Sequence, residues 1–361
     1  MSVDVVIVSA DMAEMTLECV SELDDPAVAS VVVVDNAFGD PDPDADPDAD
    51  AEADAGTPRG DGRQARGGEG EHPPGGEDER ARARIAGRAT IVPLDRPHGF
   101  AAANNRGLAL GGAPYALLLN SDVLVEPGAI EGLLRALDDE PRAVAAGGRL
   151  VDPQTLVTQE EYRPRPFPTL ANFLVIVLGI EELWPGNPVT RRYHGAQWDD
   201  SRVQQVAQPA AAALLVRRDA LDAVAGLDER FWFWFEDSDL LLRLSARGPI
   251  LYVPGAVFRH LGGGSFRRWS KAEHIRSVHH GIVQYADAHF SRVQRAVLGF
   301  AELAISLPRV ALFAGSRPQQ ARAWRAVASA GVALLRGRRP AAIAPAPQPR
   351  RRFSSARPPA R

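Results

Sequence analysis

The opening strand–helix–strand pattern limits the fold more than any other feature of this chain. Val3 to Ser9 reads as a buried strand, Met12 to Leu23 as the helix that follows, and Ser30 to Asp35 as a second β-branched run ending on a carboxylate. Two strands joined in this way lie parallel in one sheet, with a right-handed crossover. Both runs stop on polar residues. In α/β proteins that is the sheet edge at which ligands bind.

The pattern then breaks. Asp40 to about Arg84 is a Pro/Asp/Ala repeat followed by Gly, Arg and Glu, with almost no large apolar side chain. Such a segment cannot offset its ordering entropy, so a disordered surface insertion is expected. Order resumes with strands at Thr90–Leu94, Tyr115–Leu119 and Val144–Val151, and helices at Phe100–Leu110 and Pro127–Asp138. Residues 153–208 read as irregular. A strand over Ala210–Val216 follows, and then helices over Arg218–Val224 and Asp237–Arg247, stopped by Gly226 and Gly248. Short strands are expected at Ile250–Val253 and Ala256–Phe258, and a helix from Ser270 to His289. The fold class is α/β: a mostly parallel central sheet flanked by helices, with a helical C-terminal extension. The expected division is a catalytic domain over 1–290, the extension over 291–339 and a disordered tail over 340–361.

Charge is unevenly spread. The net charge is -5, yet beyond Glu302 there is no Asp or Glu and arginine recurs. A basic end of this kind suits a phosphate-rich partner, either an anionic membrane surface or nucleic acid. Val293 to Ala314 is apolar but carries Arg295, Glu302, Pro308 and Arg309, which suits an amphipathic interfacial helix better than a membrane span. The single cysteine, Cys19, excludes an internal disulfide and a cysteine-rich zinc site. The N-terminus has no basic stretch before its apolar run, so no signal peptide is read and a cytoplasmic location is expected.

Three segments carry chemistry. The aromatic run Phe231–Phe235 leads into Glu236, Asp237 and Asp239. Carboxylates beside such a run are costly to bury without a partner, a metal or a task. Leu117–Leu119 ends on Asn120-Ser121-Asp122, as a buried strand does at an active-site edge. His260 precedes Gly262-Gly263-Gly264, and glycines let a chain pass close to phosphate.

Seven segments in order resemble family 2 glycosyltransferases of the GT-A (Rossmann-like) fold, of the rhamnosyltransferase-like kind that builds bacterial surface polysaccharides. They are Val5–Val8, Val33–Asn36, Gly99–Gly107, Leu118–Asp122, Gly226–Phe231, Glu236–Leu240 and His260–Ser265. The resemblance implies that Asp35 contacts a uracil or thymine base, with Ser9, Asp11, Asn105 and Ser121 in the nucleotide-binding set. It implies a divalent ion, Mg²⁺ or Mn²⁺, held by Asp122 and completed by His260. It places the catalytic base at Asp237, beside Glu236, whose charge is expected to raise the Asp237 pKa. The implied reaction is inverting transfer from a nucleoside-diphosphate sugar to a saccharide or lipid-linked acceptor. Trp232 and Trp234 suit stacking on an acceptor sugar or a place in the core equally. Arg267 and Arg268 suit a phosphate or solvent. Arg96-Pro97-His98, Gln208-Pro209 and Ser9-Ala10-Asp11 depart from the family pattern, leaving the donor open. A rival reading is an inactive membrane- or nucleic-acid-binding adaptor. It is disfavoured because a binding module needs none of Asp122, Asp237 and His260. A nucleotidyltransferase is disfavoured by the order of the acidic and histidine motifs.

Overall fold

The structure, a computed structural model, describes residues 1–10, 12–36, 75–194, 199–262 and 269–340. Its strands are β1 (Val3–Ser9), β2 (Val28–Asp35), β3 (Thr90–Pro93), β4 (Tyr115–Asn120), β5 (Val123–Val125), β6 (Ala145–Val151), β7 (Gln204–Val206), β8 (Ala213–Arg217) and β9 (Ile250–His260). Its helices are α1 (Ala13–Ser21), α2 (Gly75–Ala86), α3 (Phe100–Leu108), α4 (Ala129–Asp139), α5 (Leu170–Val177), α6 (Ile180–Leu183), α7 (Pro188–His194), α8 (Arg218–Ala223), α9 (Glu236–Ser245), α10 (Lys271–His289), α11 (Arg292–Phe313) and α12 (Pro318–Leu335).

One sheet organises the molecule, in the order β3-β2-β1-β4-β8-β6-β9-β5, with β7 pairing β9. β1 to β4, β6 and β9 run one way, whereas β5, β7 and β8 oppose them. β1 and β4 are covered on both faces, which is why their sequences are apolar runs and not alternating ones. The register sets the ligand edge. Ser9 pairs with Asp35, and Val8 pairs with Asn120, so the polar ends of β1, β2 and β4 lie side by side.

Three expectations are corrected. The insertion was expected to run to Arg84, but Gly75–Ala86 is helix α2, with Ala81 and Ile85 buried in the main core. Those two apolar residues, four apart on one helix face, give it something to bury where the acidic repeat has nothing. The rest of the expected insertion lies outside the described residues. The stretch 153–208 is not irregular throughout. It holds a 3₁₀ turn at Glu160–Tyr162, α5, α6, α7 and β7. α5 is a short apolar helix started by a Thr169–Asn172 capping box. Finally, the two short strands after α9 are one, β9, which carries extra residues opposite the Gly148–Arg149 step of β6. Pro254 and Gly255 sit in that irregularity and look like a break in the sequence.

The C-terminal helices pack as a unit. α10 and α11 begin with Ser270–Glu273 and Ser291–Gln294 capping boxes. α11 and α12 approach closely at Gly299 and Gly331, where a Cβ on either would lie 2.6 or 2.8 Å from the other's carbonyl oxygen. Phe173 of α5, Phe231, Tyr285 of α10, Leu298 of α11 and Leu334 of α12 share one core cluster. The extension is therefore built onto the turn that carries Glu236.

Candidate active site

At the β1–β2 edge, Ser9 is buried and its hydroxyl is 2.7 Å from that of Thr16 in α1. The Asn36 N–H donates to the Ser9 carbonyl at 2.8 Å. The Asn36 amide binds the backbone of His98 in both directions, at 2.8 and 2.9 Å, and so ties down the loop before α3. Asp35 faces Arg82 of α2 at 3.2 Å. Beneath this pair lies a small cavity, about 30 Å³, lined by Ser9, Met12, Val33, Asp35, Arg82 and Ile91 among others. Ser9 and Asp35 are thus brought together as expected. Asp11 lies outside the described residues. Asn105 does something else. Its amide accepts from the Leu227 N–H at 3.0 Å and donates to the Leu227 carbonyl at 2.8 Å and to Glu229 at 3.0 Å. It clamps the loop before the aromatic run.

The turn after β4 places Ser121 and Asp122, both buried, at the same edge. The short β5, missed in the sequence because three residues show no periodicity, pairs antiparallel with β9 and puts Val123 opposite His260. That pairing brings Asp122 to His260. The Leu261 N–H donates to the Asp122 carbonyl at 2.9 Å, and His260 Nε2 lies 3.5 Å from Asp122 Oδ2. The two side chains are only 3% and 10% exposed, and among the described residues no Arg or Lys pairs with Asp122. Burial of a carboxylate without a full-time cation is costly. An oxygen donor and an imidazole facing one another would suit Mn²⁺ or Mg²⁺. Among the described residues there is no group of three or more His, Cys, Asp or Glu side chains suited to a metal. Gly263, Gly264, Ser265, Arg267 and Arg268 lie outside the described residues.

The aromatic run forms a tight turn into α9. Trp234 and Phe235 have φ of 74° and 66°, in the left-handed region that bulky residues avoid at a cost of about 1 kcal/mol or more each. Packing holds them there. The Phe235 ring stacks edge-on against Phe173 at 5.1 Å, and a Cβ at Gly281 of α10 would lie 2.5 Å from the Trp234 carbonyl oxygen. Phe231 is fully buried, and Trp232 and Trp234 are half-buried, so neither of their two readings is singled out.

This turn delivers Glu236 and Asp237 at the first turn of α9, where a helix favours negative charge. Glu236 is the buried member, and its Oε2 has no hydrogen-bond partner. Burial, and then the charge of Asp237, push its pKa up to about 8. Asp237 is only half-buried, and its Oδ1 accepts from the Ser238 N–H at 2.7 Å. Asp239 faces elsewhere, bound by Arg243 at 2.6 and 2.8 Å and by His289 at 2.8 Å.

A mostly parallel sheet with these carboxylates and a histidine at its ligand edge agrees with the GT-A arrangement that the sequence motifs resemble. Residues 79–193 match the family described as Glycosyl transferase family 2. The chain is 34% identical over 213 residues to N-acetylglucosaminyl-diphospho-decaprenol L-rhamnosyltransferase of Mycobacterium tuberculosis, strains CDC 1551 and H37Rv, covering 55% of this chain and 67% of the relative. The crystal structure of GalNAc-T7 with UDP, GalNAc and Mn²⁺ has the same fold, with a TM-score of 0.50 and 12% identity over 90% of this chain and 55% of that one. S. aureus TarS 1-349 aligns with a TM-score of 0.44 and 12% identity over 91% and 90% of the two chains. The chain belongs to glycosyltransferase family 2 and is a glycosyltransferase.

Proposed function

We propose that this enzyme moves a sugar, with rhamnose the first candidate, from a nucleoside-diphosphate donor to a lipid-linked saccharide in cell-surface polysaccharide synthesis, with inversion. The observation that carries the reading is the buried Asp122–His260 pair, with a gap of 3.5 Å and, among the described residues, no Arg or Lys on the carboxylate. The rhamnosyltransferase relative, named for a diphospho-decaprenol acceptor, supports the sugar and the acceptor class. Asp35 and Ser9 would receive the base end of the nucleotide. Asp122 and His260 would hold Mg²⁺ or Mn²⁺, which when bound stabilises the departing diphosphate as a Lewis acid. Asp237, the carboxylate of the pair open to solvent, would take the proton of the acceptor hydroxyl as its oxygen attacks the anomeric carbon. Glu236 would remain protonated beneath it near neutral pH. Calorimetry of UDP, dTDP and GDP binding with and without Mn²⁺ tests the reading. Mn²⁺-dependent binding should be present in the parent and weakened at least about tenfold in Asp122→Ala, the scale on which metal sites lose affinity.

The extension supports a location on the cytoplasmic membrane face. Among the described residues α11 is the one helix long and apolar enough to span a bilayer. One face of it, with Leu298, Ala301, Glu302 and Ser306, is instead buried in the protein. The opposite face, with Val293, Val297, Phe300, Ala304, Leu307 and Leu312, is exposed and wholly apolar. An interfacial helix suits this division, and exposed arginines such as Arg292, Arg325 and Arg336 suit anionic headgroups at about 1 kcal/mol each. In liposome flotation, Phe300→Asp with Leu307→Asp should abolish binding to anionic vesicles while nucleotide binding persists. Unchanged flotation would remove the membrane from the proposal.

A further inference from the structure

Gln159 lies in none of the seven family-like segments, yet it touches His260 twice. Its Nε2 donates to the His260 carbonyl oxygen at 2.9 Å, and its Oε1 lies 2.9 Å from His260 Nδ1. The first contact determines the second. A carbonyl oxygen can only accept, so the amide must turn its NH₂ toward it and its oxygen toward the ring. Amide oxygen is an acceptor, so Nδ1 must carry the hydrogen. In the neutral ring this leaves Nε2 bare, and Nε2 is the atom that faces Asp122 Oδ2 at 3.5 Å. Two lone-pair-bearing atoms then face one another in a buried site. That arrangement offers two lone-pair donors to a cation placed between them.

The backbone holds Gln159 in place independently of the ring. Its N–H donates to the Leu150 carbonyl at 3.0 Å, and Thr158 bridges to Val151 at the end of β6. β6 pairs with β9 so that Val151 lies beside Arg259, one residue before His260. Tyr162, on the same segment, stands edge-on to the imidazole with centroids 4.4 Å apart and fixes the ring plane.

We infer that Gln159 is a positioning residue that fixes His260 as its Nδ1–H tautomer and so presents Nε2 as a ligand atom to the divalent ion shared with Asp122. The inference rests on the metal role proposed above for that pair. Partners that orient a ligating histidine typically contribute 10–100-fold to metal affinity.

Two measurements on the full chain test it. In metal-free protein labelled with ¹⁵N-histidine, long-range ¹H–¹⁵N spectra above pH 7.5 report the tautomer, with the His260 signal identified by its loss in His260→Ala. The parent should show the hydrogen on Nδ1, and Gln159→Leu should shift it toward Nε2. In electron paramagnetic resonance titrations of Mn²⁺ in the presence of dTDP or UDP, Gln159→Leu should weaken binding about 10–100-fold. Gln159→Glu, which keeps an acceptor for Nδ1–H, should recover most of that loss and serves if the leucine variant folds poorly. A parent His260 with its hydrogen on Nε2 or on both nitrogens would overturn the inference. So would unchanged Mn²⁺ affinity in Gln159→Leu when His260→Ala does lose affinity. If His260→Ala binds Mn²⁺ like the parent, it is the metal assignment of the pair that fails, and the presentation of Nε2 to a metal fails with it.

Discussion

Two buried histidine–carboxylate pairs sit in two regions of this enzyme, and they are built differently. In the helical extension, His279 Nδ1 and Glu302 Oε2 are 2.8 Å apart, a direct hydrogen bond, and Glu302 is wholly inaccessible. Trp324 of α12 packs edge-on to His279 at 5.2 Å, and Arg309 lies over Trp324 at 5.0 Å. At the sheet edge, His260 and Asp122 stand 3.5 Å apart, and the ring is held instead through its other nitrogen by Gln159. The closed pair joins α10 to α11. The open pair leaves a gap between two acceptors. Burial of a His–carboxylate pair therefore does not mark a site by itself. The spacing, and the third group that orients the ring, separate fastening from function.

The largest expected effect would break this comparison if it failed. Glu302→Ala removes the acceptor of a buried imidazole and leaves a void, which together cost about 3 kcal/mol. Urea unfolding should show that loss, with Mn²⁺ binding at the sheet edge unchanged. Asp122→Ala should do the reverse, because His260 keeps its bond to Gln159. Equal stability losses in the two variants would mean that the pairs are not different in kind.

Next in size is the loss of the base proposed at Asp237. Asp237→Asn keeps shape and polarity but cannot take a proton, so transfer should fall at least about a hundredfold, the usual scale of general-base catalysis. Donor binding should hold, and so should the melting temperature, since the buried carboxyl of the pair is Glu236. Near-parental turnover would transfer the role to another group.

These two regions also differ in how far the sequence discloses them. The open pair and the nucleotide edge are readable because their residues terminate apolar strands, and strand ends of a parallel sheet converge on one edge. Ser9, Asp35 and His260 end their strands, and Asp122 stands in the turn just past the end of β4. Gln159 and Arg82 do neither. Each comes from a segment whose composition says little, and each reaches the site through pairing between distant parts of the chain: the Val151–Thr158 bridge for one, the packing of α2 on the core for the other. Asn105 shows the opposite failure, a family-like residue whose side chain is used as a clamp. In the extension the sequence shows apolar mass and arginine. It does not show that Glu302 points inward, because that depends on where α10 packs.

The last effect concerns Glu236 and depends on pH. Its pKa in the folded enzyme, about 8, lies above the ordinary glutamate value. Below the ordinary value, about 4, both folded and unfolded chains hold the proton and the carboxyl carries no penalty. As pH rises from there, the unfolded chain releases the proton while the folded enzyme keeps it. Stability then falls with pH, by at most about 1.4 kcal/mol per unit, until the folded group ionises as well. A glutamine side chain binds no proton in either state, so Glu236→Gln should flatten that slope and gain stability over the parent between about pH 5 and 8. Urea unfolding of both proteins at intervals across that range measures it. Parallel profiles would mean that Glu236 is already ionised in the fold, and the catalytic pair would then be two charged carboxylates. A slope that vanishes in the variant places a neutral acid under Asp237, an arrangement that leaves the full negative charge of the pair on the member open to the acceptor.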